Sequence, residues 1–128
     1  MILLDTHIFV WACLEPKRLS TAARKALRRD SERAMADISL REIAALERAG
    51  RLSFGVALSD WLEAALEETK VEVIPITPRI AARSVNIAAH FHGDPADRLI
   101  AATAIELDVP LMTADERLRA SPALRTIW

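Results

Sequence analysis

The chain has 128 residues, of which 52% are hydrophobic and 27% charged, with only 3 glycines. This size and composition exclude a disordered chain and predict one compact domain, residues 1–128, whose core needs no disulfide. A formal net charge of −1 excludes binding of nucleic acid through an overall positive field, while arginine-rich segments at 17–18, 24–29 and 117–119 remain available for local phosphate contacts.

The single cysteine, Cys13, lies in an apolar run and is interpreted as a small core side chain. No basic segment precedes a long apolar stretch, and the apolar run from Ile8 to Leu14 is too short to cross a bilayer. The sequence therefore predicts a cytoplasmic protein without a membrane segment.

The chain opens with the apolar run Met1 to Leu4, which predicts a buried strand at the N-terminus. Asp5 or Thr6 then caps a helix, because both side chains can accept a hydrogen bond from the first helical turn. The segment 20–29 predicts a short amphipathic helix with Ser20 as its N-cap.

The middle of the chain continues the alternation of strand and helix. Residues 35–38 predict a second strand, and Ser39 followed by Glu42 has the capping-box pattern of a helix N-terminus. Gly50 predicts the end of that helix, and apolar residues at helical spacing predict another over 59–69.

The last part of the chain repeats the same order. Predicted strands cover 71–75, 110–113 and 124–128, and predicted helices cover 78–90 and 99–107. Alternating strands and helices of these lengths predict an α/β fold, a three-layer α/β/α sandwich with a mainly parallel central sheet.

Four acids mark the junctions between these elements: Asp5, Glu42, Asp97 and Asp115. In a parallel sheet such junctions meet at the carboxyl edge, where ligands usually bind. Each acid alone also fits a cap or a turn, and Asp94 fits the N-cap of the helix that carries Asp97. Four carboxylates at one edge would repel each other unless a divalent cation lay among them, so the set predicts a metal site.

Hard oxygen ligands without clustered histidine or cysteine favour Mg²⁺, with Mn²⁺ as a substitute, over Zn²⁺. One or two such ions would activate water and stabilise the leaving oxygen, which predicts hydrolysis of a phosphodiester. The three histidines, His7, His90 and His92, are scattered among apolar or turn residues, so none is assigned a catalytic role. Thr6 and Thr113 are candidates to hold the flanking carboxylates.

Other small α/β folds with reactive sites fit less well. The sequence contains no Gly-x-Ser-x-Gly elbow and no glycine-rich phosphate loop. A phosphate-accepting receiver domain would need a lysine near its last strand, and the final lysine of this chain is Lys70.

The acids stand inside recognisable blocks of sequence. These are residues 3–7 (LLDTH), 39–44 (SLREIA), 50–52 (GRL), 92–104 (HGDPADRLIAATA) and 111–115 (LMTAD). In this order and spacing they resemble the PIN-domain ribonuclease toxins of the VapC family over essentially the whole chain.

The resemblance implies an Mg²⁺-dependent endoribonuclease that is the toxin of a toxin–antitoxin pair, bound by a cognate antitoxin and forming a homodimer. By motif, Asp5 and Asp97 match the principal metal ligands of that family, and Glu42 and Asp115 match its second and fourth acidic positions. Asp94 resembles an additional acid of one subgroup and is interpreted as a cap.

Two other classes of function stay open at this stage. A catalytically silent binding module would use the acidic pocket to dock an arginine of a partner protein. A phosphatase or a DNA nuclease would use the same four acids on another substrate, because no motif in the chain encodes recognition of RNA.

Overall fold

The computed structural model of the chain describes residues 1–87, 91 and 93–128. Its strands are β1 (Ile2–Leu4), β2 (Arg33–Ala36), β3 (Val71–Ile74), β4 (Leu111–Met112) and β5 (Thr126–Ile127). Its helices are α1 (Thr6–Leu14), α2 (Thr21–Arg29), α3 (Ile38–Arg48), α4 (Leu58–Thr69), α5 (Pro78–Asn86), α6 (Pro95–Leu107) and α7 (Glu116–Arg119), with a short 3₁₀ helix at Pro16–Arg18.

The five strands form one parallel sheet in the order β3-β2-β1-β4-β5. The chain builds outward from β1 through β2 to β3, and then crosses back to lay β4 and β5 on the other side of β1. This change of direction makes the carboxyl ends of β1 and β4 the switch point of the sheet, where a crevice forms.

Alternating side chains of the strands divide between two hydrophobic cores. Leu3 of β1 joins a core completed by Ile80 of α5 and Ile100 of α6. Leu4 joins a core on the other face, which includes Phe9 of α1. Helices therefore cover both faces of the sheet, and the predicted three-layer α/β/α sandwich is confirmed.

Local signals in the sequence explain several helix ends. The hydroxyl of Ser20 accepts a hydrogen bond of 3.0 Å from the backbone nitrogen of Ala23, as the N-cap prediction required. Gly50 has φ +75° beyond α3, and the backbone nitrogen of Arg51 donates to the carbonyl of Leu46. This closing pattern needs a left-handed residue, which glycine adopts without a steric penalty.

The predicted boundary between β2 and α3 was wrong. The strand ends at Ala36, and the helix begins at Ile38 after Asp37, so Ser39 lies inside the first helical turn rather than at the N-cap. Glu42 does not close a capping box, because its carboxylate bonds with a hydroxyl from another helix. The capping-box pattern was present in the sequence, but Ser39 and Glu42 both form hydrogen bonds with Thr6 of α1 instead.

The remaining differences concern ends of elements. Helix α5 is described to Asn86, and the predicted continuation over 88–90 lies outside the described residues. Helix α6 begins at Pro95, directly after the predicted N-cap Asp94, and includes the predicted apolar stretch 99–107. Helix α7 was not predicted. Within the described residues, no helix combines the length and apolar character that crossing a bilayer requires.

Truncating Leu111 tests the two-sided burial of the sheet. The side chain of Leu111 is 0% exposed, so Leu111→Ala should lower the free energy of unfolding by about 2–5 kcal/mol through lost burial and a cavity. The matched control is Leu107→Ala at the end of α6, where the side chain is 37% exposed. It should lower the free energy of unfolding by less than about 1 kcal/mol. Urea unfolding followed by circular dichroism measures both, and equal losses would contradict this assignment of the core.

Candidate metal centre

Asp5 lies directly after the central strand and is 4% exposed. Its Oδ1 atom accepts a hydrogen bond of 2.8 Å from the backbone nitrogen of Thr6, which caps α1. Its Oδ2 atom accepts a bond of 2.7 Å from the hydroxyl of Thr113, beyond the end of β4. Asp5 is therefore both a helix cap and a fixed carboxylate at the switch point.

Glu42 reaches the same edge from α3. The hydroxyl of Thr6 bonds with the Glu42 carboxylate and lies 2.8 Å from the hydroxyl of Ser39. Because a hydroxyl has one hydrogen, Thr6 donates to the carboxylate and accepts from Ser39. Thr6 and Ser39 are buried, so this chain of hydroxyls holds Glu42 in one orientation.

Asp94 and Asp97 stand at the start of α6. Asp94 is the N-cap, and its Oδ1 atom accepts a bond of 2.8 Å from the backbone nitrogen of Asp97, which confirms the prediction of a cap. Asp94 also offers an oxygen within 4.8 Å of oxygens from Glu42 and Asp97. Asp94 therefore caps α6 and also lies close to two other acids of the site.

Asp115 caps α7 and completes the acidic edge. Its Oδ1 atom accepts bonds from the backbone nitrogens of Arg117 and Leu118, and its own nitrogen donates to the hydroxyl of Thr113 at 3.0 Å. Thr113 thereby joins Asp115 to Asp5. Burial raises the pKa of the Asp115 carboxyl, but the hydrogen bonds from Arg117 and Leu118 outweigh it and leave the pKa below its usual value.

The negative charges interact most strongly at Asp97. Burial, and then repulsion from Asp94, Asp5, Glu42 and Asp115, raise the pKa of Asp97 to about 7. Burial also raises the pKa of Glu42, with further repulsion from Asp5 and Asp94, against the lowering effect of the Thr6 hydroxyl. The site therefore carries more negative charge than its own surroundings neutralise.

A cavity of about 660 Å³ opens over these acids. The predicted residues Asp5, Glu42, Asp97 and Asp115 all line it, as does Asp94. Its other lining residues are mostly apolar and include two arginines. They come from α3, the segment after it and the start of α6: Ile38, Ala45, Leu46, Ala49, Pro95, Ala96, Arg41 and Arg51. The cavity is an open groove that contains the acids, an apolar lining and two arginines.

The donors in this groove suit a small, hard cation. Glu42, Asp94 and Asp97 offer only carboxylate oxygens, which Mg²⁺ and Mn²⁺ prefer, and these oxygens lie close enough to share one ion. The pKa of Asp97 is raised first by burial and then by repulsion from the other acids, and a positive ion would offset that repulsion. These residues therefore fit the divalent metal that the sequence predicted.

Two residues of the site had roles that sequence reasoning missed. The Nε2 atom of His7 accepts a bond of 3.1 Å from the backbone nitrogen of Ala114, so Nδ1 carries the ring hydrogen and faces Asp5 Oδ2 at 3.5 Å. Arg117 places its guanidinium beside Asp115 and Asp97. His90 and His92 lie outside the described residues.

Gly93 explains a further part of the motif before α6. A Cβ atom at this position would lie 2.4 Å from Phe91 Cε1 and 2.8 Å from Asp97 Cβ. Both distances are below any normal carbon contact, so only glycine fits without displacing Phe91 or Asp97. The glycine of the 92–104 block therefore fixes how closely the loop approaches an acid of the site.

Removing one charge should stabilise the metal-free protein. The native state keeps the Asp97 proton from pH 3.8 up to about pH 7, so the free energy of unfolding should fall as pH rises through this interval. Asp97→Asn should flatten that slope and raise the free energy of unfolding at pH 8 by about 1–3 kcal/mol. Urea unfolding in EDTA at pH 4 to 8 measures both effects.

The matched control for this variant is Glu67→Gln on the exposed side of α4, which removes a charge away from the groove. It should change neither the slope nor the stability at pH 8 by more than about 0.5 kcal/mol. A less stable Asp97→Asn protein at pH 8 would contradict the charge repulsion described above.

Comparisons with known proteins identify the family of this chain. The model of the PIN domain family matches residues 2–123. Ribonuclease VapC22 of Mycobacterium tuberculosis is 43% identical over 129 residues, covering 99% of this chain and 98% of its own.

Solved structures share the fold at lower identity. The VapBC2 structure from Rickettsia felis, bound to a DNA fragment from its promoter, has a TM-score of 0.74 at 20% identity, covering 98% of this chain and 97% of its own. The DNA-bound VapBC structure from Salmonella typhimurium has a TM-score of 0.70 at 19% identity, with coverage of 98% and 95%. A toxin–antitoxin complex from Klebsiella pneumoniae has a TM-score of 0.68 at 21% identity, with coverage of 97% and 95%.

Proposed function

Because this chain belongs to the PIN domain family, and within it to the VapC proteins, we propose that it is a metal-dependent endoribonuclease acting as the toxin of a toxin–antitoxin pair. The observation that carries the proposal is the meeting of acids from four separate segments in one open groove, with the pKa of Asp97 raised to about 7. A cluster of carboxylates with a raised pKa in an open groove is typical of a functional site.

The metal ligands we propose are Asp5, Glu42, Asp97 and Asp115, holding Mg²⁺ or Mn²⁺. Asp94 is a candidate for an additional ligand because its oxygen lies within 4.8 Å of those of Glu42 and Asp97. When bound, a divalent ion would lower the pKa of a water molecule and neutralise negative charge on a phosphodiester.

The side chains of the protein prepare the groove for this chemistry. Thr6 orients Glu42, and Thr113 joins Asp5 to the loop of Asp115, so these three carboxylates keep fixed directions before substrate enters. Arg41 is exposed on the wall of the groove, where it can pair with a phosphate further along a strand. The openness of the groove suits single-stranded RNA, which can pass through it and expose one phosphodiester to the acids.

The proposed partners follow from the relatives. The Klebsiella pneumoniae structure is a toxin–antitoxin complex, and those from Rickettsia felis and Salmonella typhimurium are VapBC assemblies, so we propose a cognate antitoxin for this chain. We also propose a homodimer, and action in the cytoplasm where the RNA substrate is found.

Two isosteric substitutions test the catalytic proposal. Asp5→Asn and Asp97→Asn keep the shape of the groove but remove a metal-binding charge, so each should reduce cleavage of total cellular RNA by at least about 100-fold and relieve growth arrest. The assay measures RNA fragments from purified protein with Mg²⁺ or Mn²⁺, and sequencing of RNA ends identifies the cut sites.

Glu67→Gln is the control and should cleave like the wild type. EDTA should abolish cleavage, and excess Mg²⁺ should restore it. Full cleavage by both Asn variants would rule out this assignment of the acids. Metal-dependent cutting of single-stranded DNA but not RNA would point to a DNA nuclease, and antitoxin binding without any cleavage would point to a silent binding module.

A further inference from the structure

Arg117 brings a positive charge to the acidic edge. Its Nη2 atom lies 3.4 Å from Asp115 Oδ2 and 3.8 Å from Asp97 Oδ2. Within the described ranges 1–87, 91 and 93–128, it is the arginine whose side chain pairs with these two acids. It thus partly fills the role of counter-ion at carboxylates that we propose as metal ligands.

Among the described residues, the ion pairs of the Arg117 guanidinium are those two contacts. It is 64% exposed, and its distances to both carboxylates are longer than a good charge-assisted hydrogen bond of about 2.7–2.9 Å. Its backbone is fixed by contrast, because its nitrogen donates to Asp115 Oδ1 at 2.8 Å. The guanidinium can therefore leave the acids while the helix turn that carries it stays in place.

At this position the Arg117 guanidinium competes with a divalent ion for the carboxylate oxygens of Asp97 and Asp115. A divalent ion that binds Asp97 and Asp115 meets repulsion from a positive charge less than 4 Å from both carboxylates. A phosphate that enters the groove offers two oxygens that can accept hydrogen bonds from the guanidinium together, an arrangement that arginine binds well. RNA would thereby remove the charge that opposes metal binding.

We propose that Arg117 is the internal counter-ion of the metal-free site, and that on RNA binding it leaves Asp97 and Asp115 and binds a phosphate of the substrate. This deepens the proposed function, on which it rests, by making RNA and metal bind cooperatively. By linkage, the factor by which RNA tightens metal binding equals the factor by which metal tightens RNA binding. Arg41 and Arg51 line the same groove without an ion pair to Asp97 or Asp115 in the described structure, so neither produces this coupling.

The first test needs no RNA. Mn²⁺ is titrated into metal-free protein at pH 8, and free Mn²⁺ is measured by electron paramagnetic resonance. Arg117→Gln should bind Mn²⁺ about two- to fivefold more tightly than the wild type, the range expected when an exposed ion pair is lost. Arg117→Lys keeps the charge and should stay within about twofold of the wild type.

The matched control is Arg119→Gln, which removes from the same short helix an exposed arginine whose side chain forms no ion pair with the acids among the described residues. It should change the Mn²⁺ affinity by less than about 1.5-fold. An unchanged affinity in Arg117→Gln, or an equal change in Arg119→Gln, would overturn the proposal, because a general field effect would then explain the result.

The second test adds a 2′-O-methyl oligoribonucleotide of mixed sequence, checked by gel to remain intact. In the wild type, saturating oligonucleotide should tighten Mn²⁺ binding about two- to fivefold more than it does in Arg117→Gln. Equal enhancement in the two proteins would overturn the transfer of Arg117 to phosphate.

The two proposals fail in different ways. Absence of RNA cleavage by wild-type protein that still shows the Arg117→Gln effect on Mn²⁺ would reject the proposed ribonuclease and leave the counter-ion role supported. RNA cleavage together with an unchanged Mn²⁺ affinity in Arg117→Gln would reject the counter-ion role alone.

Discussion

The parallel pairing of β1 on both of its sides is the constraint on which the rest of the molecule depends. Leu3 pairs with Ala34 of β2 and with Leu111 of β4, so three strands end at the same edge. Each strand then delivers an acid, directly or through the helix that follows it. Because Leu3 and Leu4 are almost fully buried, β1 cannot shift without exposing core residues, and the position of Asp5 is fixed by hydrophobic packing.

The acidic edge survives in the folded protein because hydroxyl groups and backbone nitrogens offset part of its repulsion. Thr6 donates to Glu42 and Thr113 donates to Asp5, while helices α1, α6 and α7 each begin at an acid of the site. These bonds leave Asp97 with a raised pKa, which indicates that the compensation is incomplete. The remaining negative charge is the basis of the divalent-metal site proposed for this edge.

Local patterns could be predicted from the sequence, and the alternation of strands and helices also predicted that the four distant acids meet at one edge. Several individual hydrogen bonds between distant residues could not be predicted. The strand β1, the cap at Ser20 and the helix stop at Gly50 follow from local patterns. The Ser39 and Glu42 pattern misled because Thr6, more than 30 residues away, binds both side chains. The His7 contact with Ala114 spans 107 residues and leaves no local signal at all.

The hydrogen bond between Thr113 and Asp5 joins residues 108 positions apart, and this separation affects the order of assembly during synthesis. The N-terminal strand leaves the ribosome first, but it pairs with β4 only after nearly the whole chain has been translated. Closing such a long loop is slow, since its entropic cost precedes the contacts that offset it. A nascent chain therefore carries an incomplete acidic edge until the segment with β4 and Asp115 has been translated.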